Sequence, residues 1–145
     1  MFERILIVCV GNICRSPTAE YLLRQRLGDG HASNVSSAGL SAMTGYPMDA
    51  TALQVLQEHD VDGTRHRARQ LNTVLLRQSS LILAMEKSHV AEIGRMAAEA
   101  SGKVFMLSRW SGGNDVPDPY RQERIAFEHV FALIDQGVSS WMRYL

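Results

Sequence analysis

Cys9 and Arg15 bracket the segment Val10-Gly11-Asn12-Ile13-Cys14, and Ser16-Pro17 follows directly. The chemistry this pairing suits is nucleophilic displacement on a bound oxyanion. The segment follows an apolar, β-branched run over residues 4–10 and precedes an amphipathic stretch, so it is expected to join a buried strand to a helix N-terminus. Backbone N–H groups at a helix start lack partners, and the helix dipole adds positive potential. The backbone of Val10, Gly11, Asn12, Ile13, Cys14, Arg15 and Ser16 is therefore read as a phosphate-binding loop, with Gly11 letting the chain curl around the ligand. The planar fork of Arg15 suits two phosphoryl oxygens. A cysteine at the base of such a cradle is favoured as thiolate by the same field. Cys9 is expected to attack phosphorus and form a phospho-cysteine that water hydrolyses, with the Ser16 hydroxyl donating to the sulfur or helping to expel it. The bland alternative makes Cys9 an inert core thiol and Arg15 a solvated helix residue. It leaves unexplained why both flank a glycine-containing loop.

Breaking a phosphate ester also needs a proton for the leaving oxygen. The segment Asp115-Val116-Pro117-Asp118-Pro119-Tyr120 offers one. Two prolines stiffen the chain around Asp118, which suits a carboxyl that must be positioned. Asp115 is the competitor and Glu86 a weaker one; taken alone, the segment would pass for a surface turn. Tyr120 offers an aromatic wall for a flat substrate ring. His66, within Arg65-His66-Arg67-Ala68-Arg69, remains open on the residues alone, since basic residues before a helix usually form a solvated face.

The elements that must position these groups alternate strand and helix. Strands are expected at 4–10, 35–40, 81–85 and 103–107. Helices are expected from Ser16 as N-cap and Pro17 as first residue to Gly28, from Asp49 to about His59, at 72–78, from Ser88 to about Ala100, and at 122–143. Such alternation predicts an α/β fold: a flavodoxin-like four-stranded parallel sheet in the order 2-1-3-4, with helices on both faces. The loops after each strand then open on one edge, around the switch point beside strand 1. Residues 1–145 are expected to form a single domain.

Composition removes other classes. Fifteen basic residues balance fifteen acidic ones, so no general attraction to nucleic acid is expected. The apolar run Ile5–Val10 is too short for a signal-peptide core, and nothing reaches the length needed to insert in a membrane. Cys9 and Cys14 are so close that a structural disulfide would staple almost nothing, which favours a reducing cytoplasm. Metal ligation would need further ligands at helpful spacing, and His31, His59, His66, His89 and His129 are scattered, so neither metal nor cofactor is expected. A thioredoxin-like pair would have two intervening residues, and a nucleotide P-loop would carry Gly-Lys-Ser/Thr. Neither pattern is present.

Val8-Cys9-Val10-Gly11-Asn12-Ile13-Cys14-Arg15-Ser16-Pro17 with Asp118-Pro119-Tyr120 resembles the low-molecular-weight protein tyrosine phosphatase family. Ser37-Ala38-Gly39, His66-x-Ala68-Arg69-Gln70 and Leu83-Ala84-Met85-Glu86 are similar to its other landmarks, in the right order. The resemblance implies Cys9 as nucleophile, Arg15 as phosphate clamp and Asp118 as general acid. It also implies that Asn12, Ser37 and His66 brace the loop. Eukaryotic members usually place two aromatic residues after Asp-Pro; here Arg121 follows Tyr120, and Leu40 and Met43 stand near the other wall. This is similar to the bacterial branch acting on exopolysaccharide tyrosine autokinases. It implies a shallow pocket reading a mobile phosphotyrosine tail, in a monomer. The rivals are an arsenate reductase of the same fold, whose thioredoxin-coupled kind needs a third cysteine that this chain lacks, and a non-catalytic phosphotyrosine-binding module. The last would need neither Cys9 nor Asp118. Cys14 has no required part in hydrolysis; it is either packing or a redox partner that captures oxidised Cys9 as a disulfide.

Overall fold

The structure, a computed structural model, describes residues 2–145 apart from the side chain of Ser33. Four parallel strands, β1 (Ile5–Cys9), β2 (Val35–Gly39), β3 (Leu81–Ala84) and β4 (Val104–Met106), lie in the order β2-β1-β3-β4, as the alternation predicts. Helices α1 (Arg15–Leu27), α2 (Ala50–Glu58), α3 (Thr73–Gln78), α4 (Lys87–Met96) and α5 (Arg124–Trp141) connect and cover them. β1 is buried at every residue, which is why it reads as a continuous apolar run rather than an alternating one. Ile5, Ile7 and Cys9 join the core formed with α1, α2 and α5, whereas Leu6 and Val8 join the one formed with α3 and α4. No helix is long and apolar enough to cross a membrane, among the described residues.

Local signals place most boundaries. Asp49 caps α2 by accepting from the amides of Thr51 and Ala52, and Asn72 caps α3 through Leu75 N. Three expectations need correction. Cys14, not Ser16, occupies the N-cap position of α1. Ser16 and Pro17 fall inside the first turn, because the Ser16 hydroxyl is drawn to Cys9 and Asn12 instead of capping. The helix expected to run to Ala100 stops at Met96, where Ala97 is extended (φ −150°, ψ 88°), and a 3₁₀ segment Ala98–Lys103 follows. That break tucks both Ala97 and Ala100 into the core. α5 starts at Arg124 because Gln122 N closes a turn onto Pro119 O.

The C-terminal ends of the strands share one edge, so residues 10–14, 40–49, 85–86 and 107–123 surround one mouth. The first two of these segments are in tight contact. A Cβ added at Gly39 would stand 2.4 Å from Val10 O, so only glycine permits this approach.

Candidate active site

The loop after β1 has its carbonyls turned outward. Cys9, Val10 and Gly11 O accept from Leu40, Ser41 and Met43 N at 2.9–3.0 Å, and Ile13 O from Asp49 N at 2.9 Å. Asn12 O accepts from His66 Nε2–H at 2.6 Å, and Cys14 O from the amide and hydroxyl of Thr18. With the carbonyls of residues 9 to 13 engaged from other segments and that of Cys14 by the first turn of α1, the amides face the other way. Those of Gly11 to Arg15 donate to no protein acceptor among the described residues. This is a concave set of donors for an oxyanion, set at the start of α1 where the helix dipole adds to it.

At its base Cys9 Sγ lies 2.9 Å from Ser16 Oγ, buried. The proton order there is dictated from a distance. Glu20, buried on α1, accepts from Ser37 Oγ at 2.5 Å and pairs with Arg24 at 3.0 Å. An ionised carboxylate only accepts, so Ser37 donates to it and in turn accepts from Asn12 Nδ2 at 2.9 Å. Asn12 Oδ1 accepts from Arg69 N at 2.9 Å, which fixes the amide orientation, and the second Nδ2–H goes to Ser16 Oγ at 2.8 Å. The Ser16 proton is then free to point at the Cys9 sulfur, the arrangement a thiolate needs. Asn12 does this in the left-handed region, at φ 59°, which asparagine tolerates better than most residues.

Arg15 is 2% exposed. One terminal nitrogen, NH1, donates to Glu86 Oε2 at 2.5 Å and to Val116 O at 2.8 Å, while NH2 stands 3.8 Å from Asp118 Oδ2. NH1 is thus an anchor, and NH2 faces the acid loop. That loop is strapped to the end of β3: Val116 N donates to Met85 O at 2.8 Å, and Asp115 Oδ1 accepts from Lys87 N at 2.9 Å. Asp115 is consumed as a cap for α4, and Glu86 as the arginine's counter-ion. Asp118 is the carboxyl left facing the cradle. It is about half exposed, and its Oδ1 accepts from Tyr120 N at 3.0 Å, turning Oδ2 toward Arg15.

These groups line a depression of about 180 Å³ together with Ser41, Met43 and Tyr120. Ser16, Ser37 and His66 lie behind the loop, not in the depression. Leu40 is a correction: it packs against the core formed with α3 and α4, because residues next to a strand end alternate faces, and Ser41 stands where Leu40 was expected. Burial lowers the His66 pKa below its ordinary value, consistent with a neutral ring donating Nε2–H to Asn12. Burial likewise pushes the Cys14 thiol well up, helped by the nearby Asp49 carboxylate.

Sequence reasoning missed Glu20, the Glu86–Arg15 pair and the Arg69 amide. Glu20 had a signal: it lies in helical register with Ser16, Leu23 and Leu27, a charge on an apolar stripe. The other two had none.

A thiol beneath an amide cradle, a guanidinium within it and a carboxyl across from it together define a cysteine-dependent phosphomonoesterase on a flavodoxin-like sheet. The chain matches the family described as low molecular weight phosphotyrosine protein phosphatase over residues 4–145, and it belongs to that family. It is 44% identical to the low molecular weight protein-tyrosine-phosphatase Wzb of Salmonella typhimurium, over 100% of this chain and 95% of that one. Among solved structures, Erwinia amylovora tyrosine phosphatase AmsI superposes with a TM-score of 0.94 at 40% identity, covering 100% of this chain and 94% of its own. Vibrio vulnificus Wzb in complex with benzylphosphonate gives a TM-score of 0.94 at 43% identity, with both chains fully covered. This likeness supports a tyrosine phosphatase over the arsenate reductase and the binding module.

Proposed function

We propose that the protein hydrolyses phosphotyrosine on a bacterial tyrosine autokinase that controls exopolysaccharide production. The observation that carries the reading is the loop with all its carbonyls turned outward over Cys9 Sγ, itself 2.9 Å from a serine hydroxyl whose other partner is fixed. The phosphoryl group sits on the amides of the loop, between residues 10 and 16, with Arg15 held by Glu86 so that its free nitrogen reaches the oxygens. Cys9 attacks phosphorus; the bond to the tyrosine oxygen breaks, and Asp118, in its protonated form, supplies that oxygen's proton. Water, deprotonated by the same Asp118, then attacks the phospho-cysteine. Phosphate leaves, and Ser16 donates to the departing thiolate.

A buried nucleophile favours a phosphate carried on a long rigid arm, and Met43 and Tyr120 flank the depression where an aryl ring would stand. Arg121 stacks over Tyr120 with its guanidinium carbon 5.3 Å from the ring centroid, in place of a second aromatic. This leaves a shallow wall suited to an extended, tyrosine-rich tail. Full-length likeness to bacterial tyrosine phosphatases supports the bacterial partner. The chemistry calls on no group beyond those this chain supplies, so a monomer would suffice, and a thiol nucleophile works only while reduced, which suits a reducing cytoplasm.

The test is to present the autophosphorylated kinase, its phosphotyrosine tail peptides and matched phosphoserine peptides to the protein. Release of phosphate from the first two and not from the third is expected. Equal rates on phosphoserine would defeat the assignment, and activity on free phosphotyrosine peptides without activity on the kinase would defeat the partner.

A further inference from the structure

His89 lies in the first turn of α4, three residues after Glu86, and is 5% exposed. Its Nε2 stands 3.4 Å from Glu86 Oε2, the same oxygen that Arg15 reaches at 2.5 Å. At 3.4 Å the contact is longer than a full hydrogen bond, but a ring nitrogen this near a carboxylate is favoured as the protonated one, which leaves Nδ1 as the bare acceptor. Nδ1 is buried with no partner. An apolar residue filling this place would avoid leaving that acceptor unpaired. Packing alone therefore does not account for a histidine here.

Glu86 needs a second hold. It occupies the N-cap position of α4, but its side chain makes no capping bond, since Asp115 serves Lys87 N from another segment. Its carboxylate is left for Arg15 alone, and at 28% exposure it could swing toward water. His89 closes the inner side. The charged groups facing His89 are Glu86 and Glu92 on or beside its own helix, Arg15 from α1 and Asp115 from the acid loop. Burial lowers its pKa, which keeps the ring neutral with one proton to give.

We infer that His89 is a positioning residue: by holding the Glu86 carboxylate it fixes the orientation of Arg15, and so the grip on the phosphoryl group. The inference rests on the phosphatase reading of the Arg15 site. A glutamine can place an amide N–H near the position of Nε2, whereas leucine and methionine fill the volume with no donor.

The experiment replaces His89 by Gln, Leu and Met, each alone and combined with Glu86→Gln. It measures kcat/KM on an aryl phosphate and, by calorimetry, the affinity for inorganic phosphate. Folding is followed by thermal unfolding, and Met serves if the Leu variant does not fold. His89→Leu or His89→Met is expected to lower both quantities about tenfold, the effect of leaving the Glu86 carboxylate without its neighbouring donor, with His89→Gln within about threefold of wild type. In the Glu86→Gln background none of the three should cost anything more. If Leu or Met equals or exceeds Gln, or if the same loss recurs without the Glu86 carboxylate, His89 only packs and the inference is wrong. A wild type that neither hydrolyses the ester nor binds phosphate would instead defeat the phosphatase reading itself.

Discussion

The two sides of the depression are built to different standards. On the cradle side, Asn12, Arg15, Ser16, Glu20, Ser37 and His66 are all buried; hydrogen bonds tie all but Arg15 into one network, and Arg15 is anchored separately on Glu86 and Val116 O. On the acid side, the loop is strapped down at Asp115 and Val116, but its tip is not: Asp118, Arg121 and Gln122 are exposed, and the tip closes on itself through Tyr120 N to Asp118 Oδ1 and Gln122 Nε2 to Asp118 O. Transferable phosphate chemistry needs fixed donors, because donors that must reorganise in the transition state lose much of their electrostatic advantage. Delivering a proton and meeting varied protein substrates need only a carboxyl on a short tether. Rigidity is concentrated where charge develops, and adaptability where the substrate differs.

That contrast breaks down most visibly if the cradle depends on the nucleophile. Cys9→Ser is expected to abolish turnover yet keep phosphate binding, because the donors are backbone amides whose orientation the outward carbonyls impose. Calorimetry with phosphate or vanadate checks it; simultaneous loss of binding and folding would make Cys9 a core residue only. On the acid side, Asp118→Asn is expected to slow phenyl phosphate by about 10²–10⁴-fold, with a far smaller effect on an ester of a good leaving group. Phosphate affinity should hold. Uniform slowing of both esters would mean that Asp118 does not protonate the leaving oxygen.

A smaller effect sharpens the cradle's side. His66 is buried neutral, with its pKa lowered from an ordinary value of 6.5 chiefly by desolvation. The unfolded chain therefore binds a proton that the folded one does not, so stability falls as pH drops below about 6.5 and levels off below the folded value. In urea titrations His66→Gln, which keeps a donor for Asn12 O, should lose less stability between pH 7 and 5 than wild type. A parallel loss would remove His66 from the account, leaving other buried groups such as His89 to explain it. The smallest effect concerns Cys14. Its thiol is pushed up by burial, so as partner to a peroxide-formed Cys9 sulfenic acid it should react slowly, forming the disulfide and releasing water. After brief peroxide and then dithiothreitol, wild type should recover slightly more activity than Cys14→Ser. Identical recovery leaves Cys14 with packing alone.

What could be read from the chain was whatever is local. The strand, loop and helix holding Cys9, Gly11 and Arg15 are contiguous, and their partners are backbone amides that any such turn presents. Alternating elements were enough to order the four strands, since crossover handedness leaves few choices. Local reasoning failed where a side chain had a better distant offer. Ser16 has the chemistry of a cap, but Cys9 and Asn12 claim its hydroxyl. Asp115 and Asp118 look alike in sequence; only the path of the chain past β3 gives Lys87 N to one and leaves the other facing Arg15. Leu40 looked like a wall residue until the register of β2 turned it to the opposite core. Glu86 and the Val116 carbonyl reach Arg15 from 71 and 101 residues away. The amino-acid sequence by itself determined the pairing of Cys9 with Arg15 across one turn, the outward-facing form of that turn and the order of the sheet, because these rest on neighbours along the chain. Which carboxylate anchors the arginine, which faces the substrate and which way each hydroxyl points was decided by tertiary structure alone, because those choices are settled by competition among groups that only folding brings together.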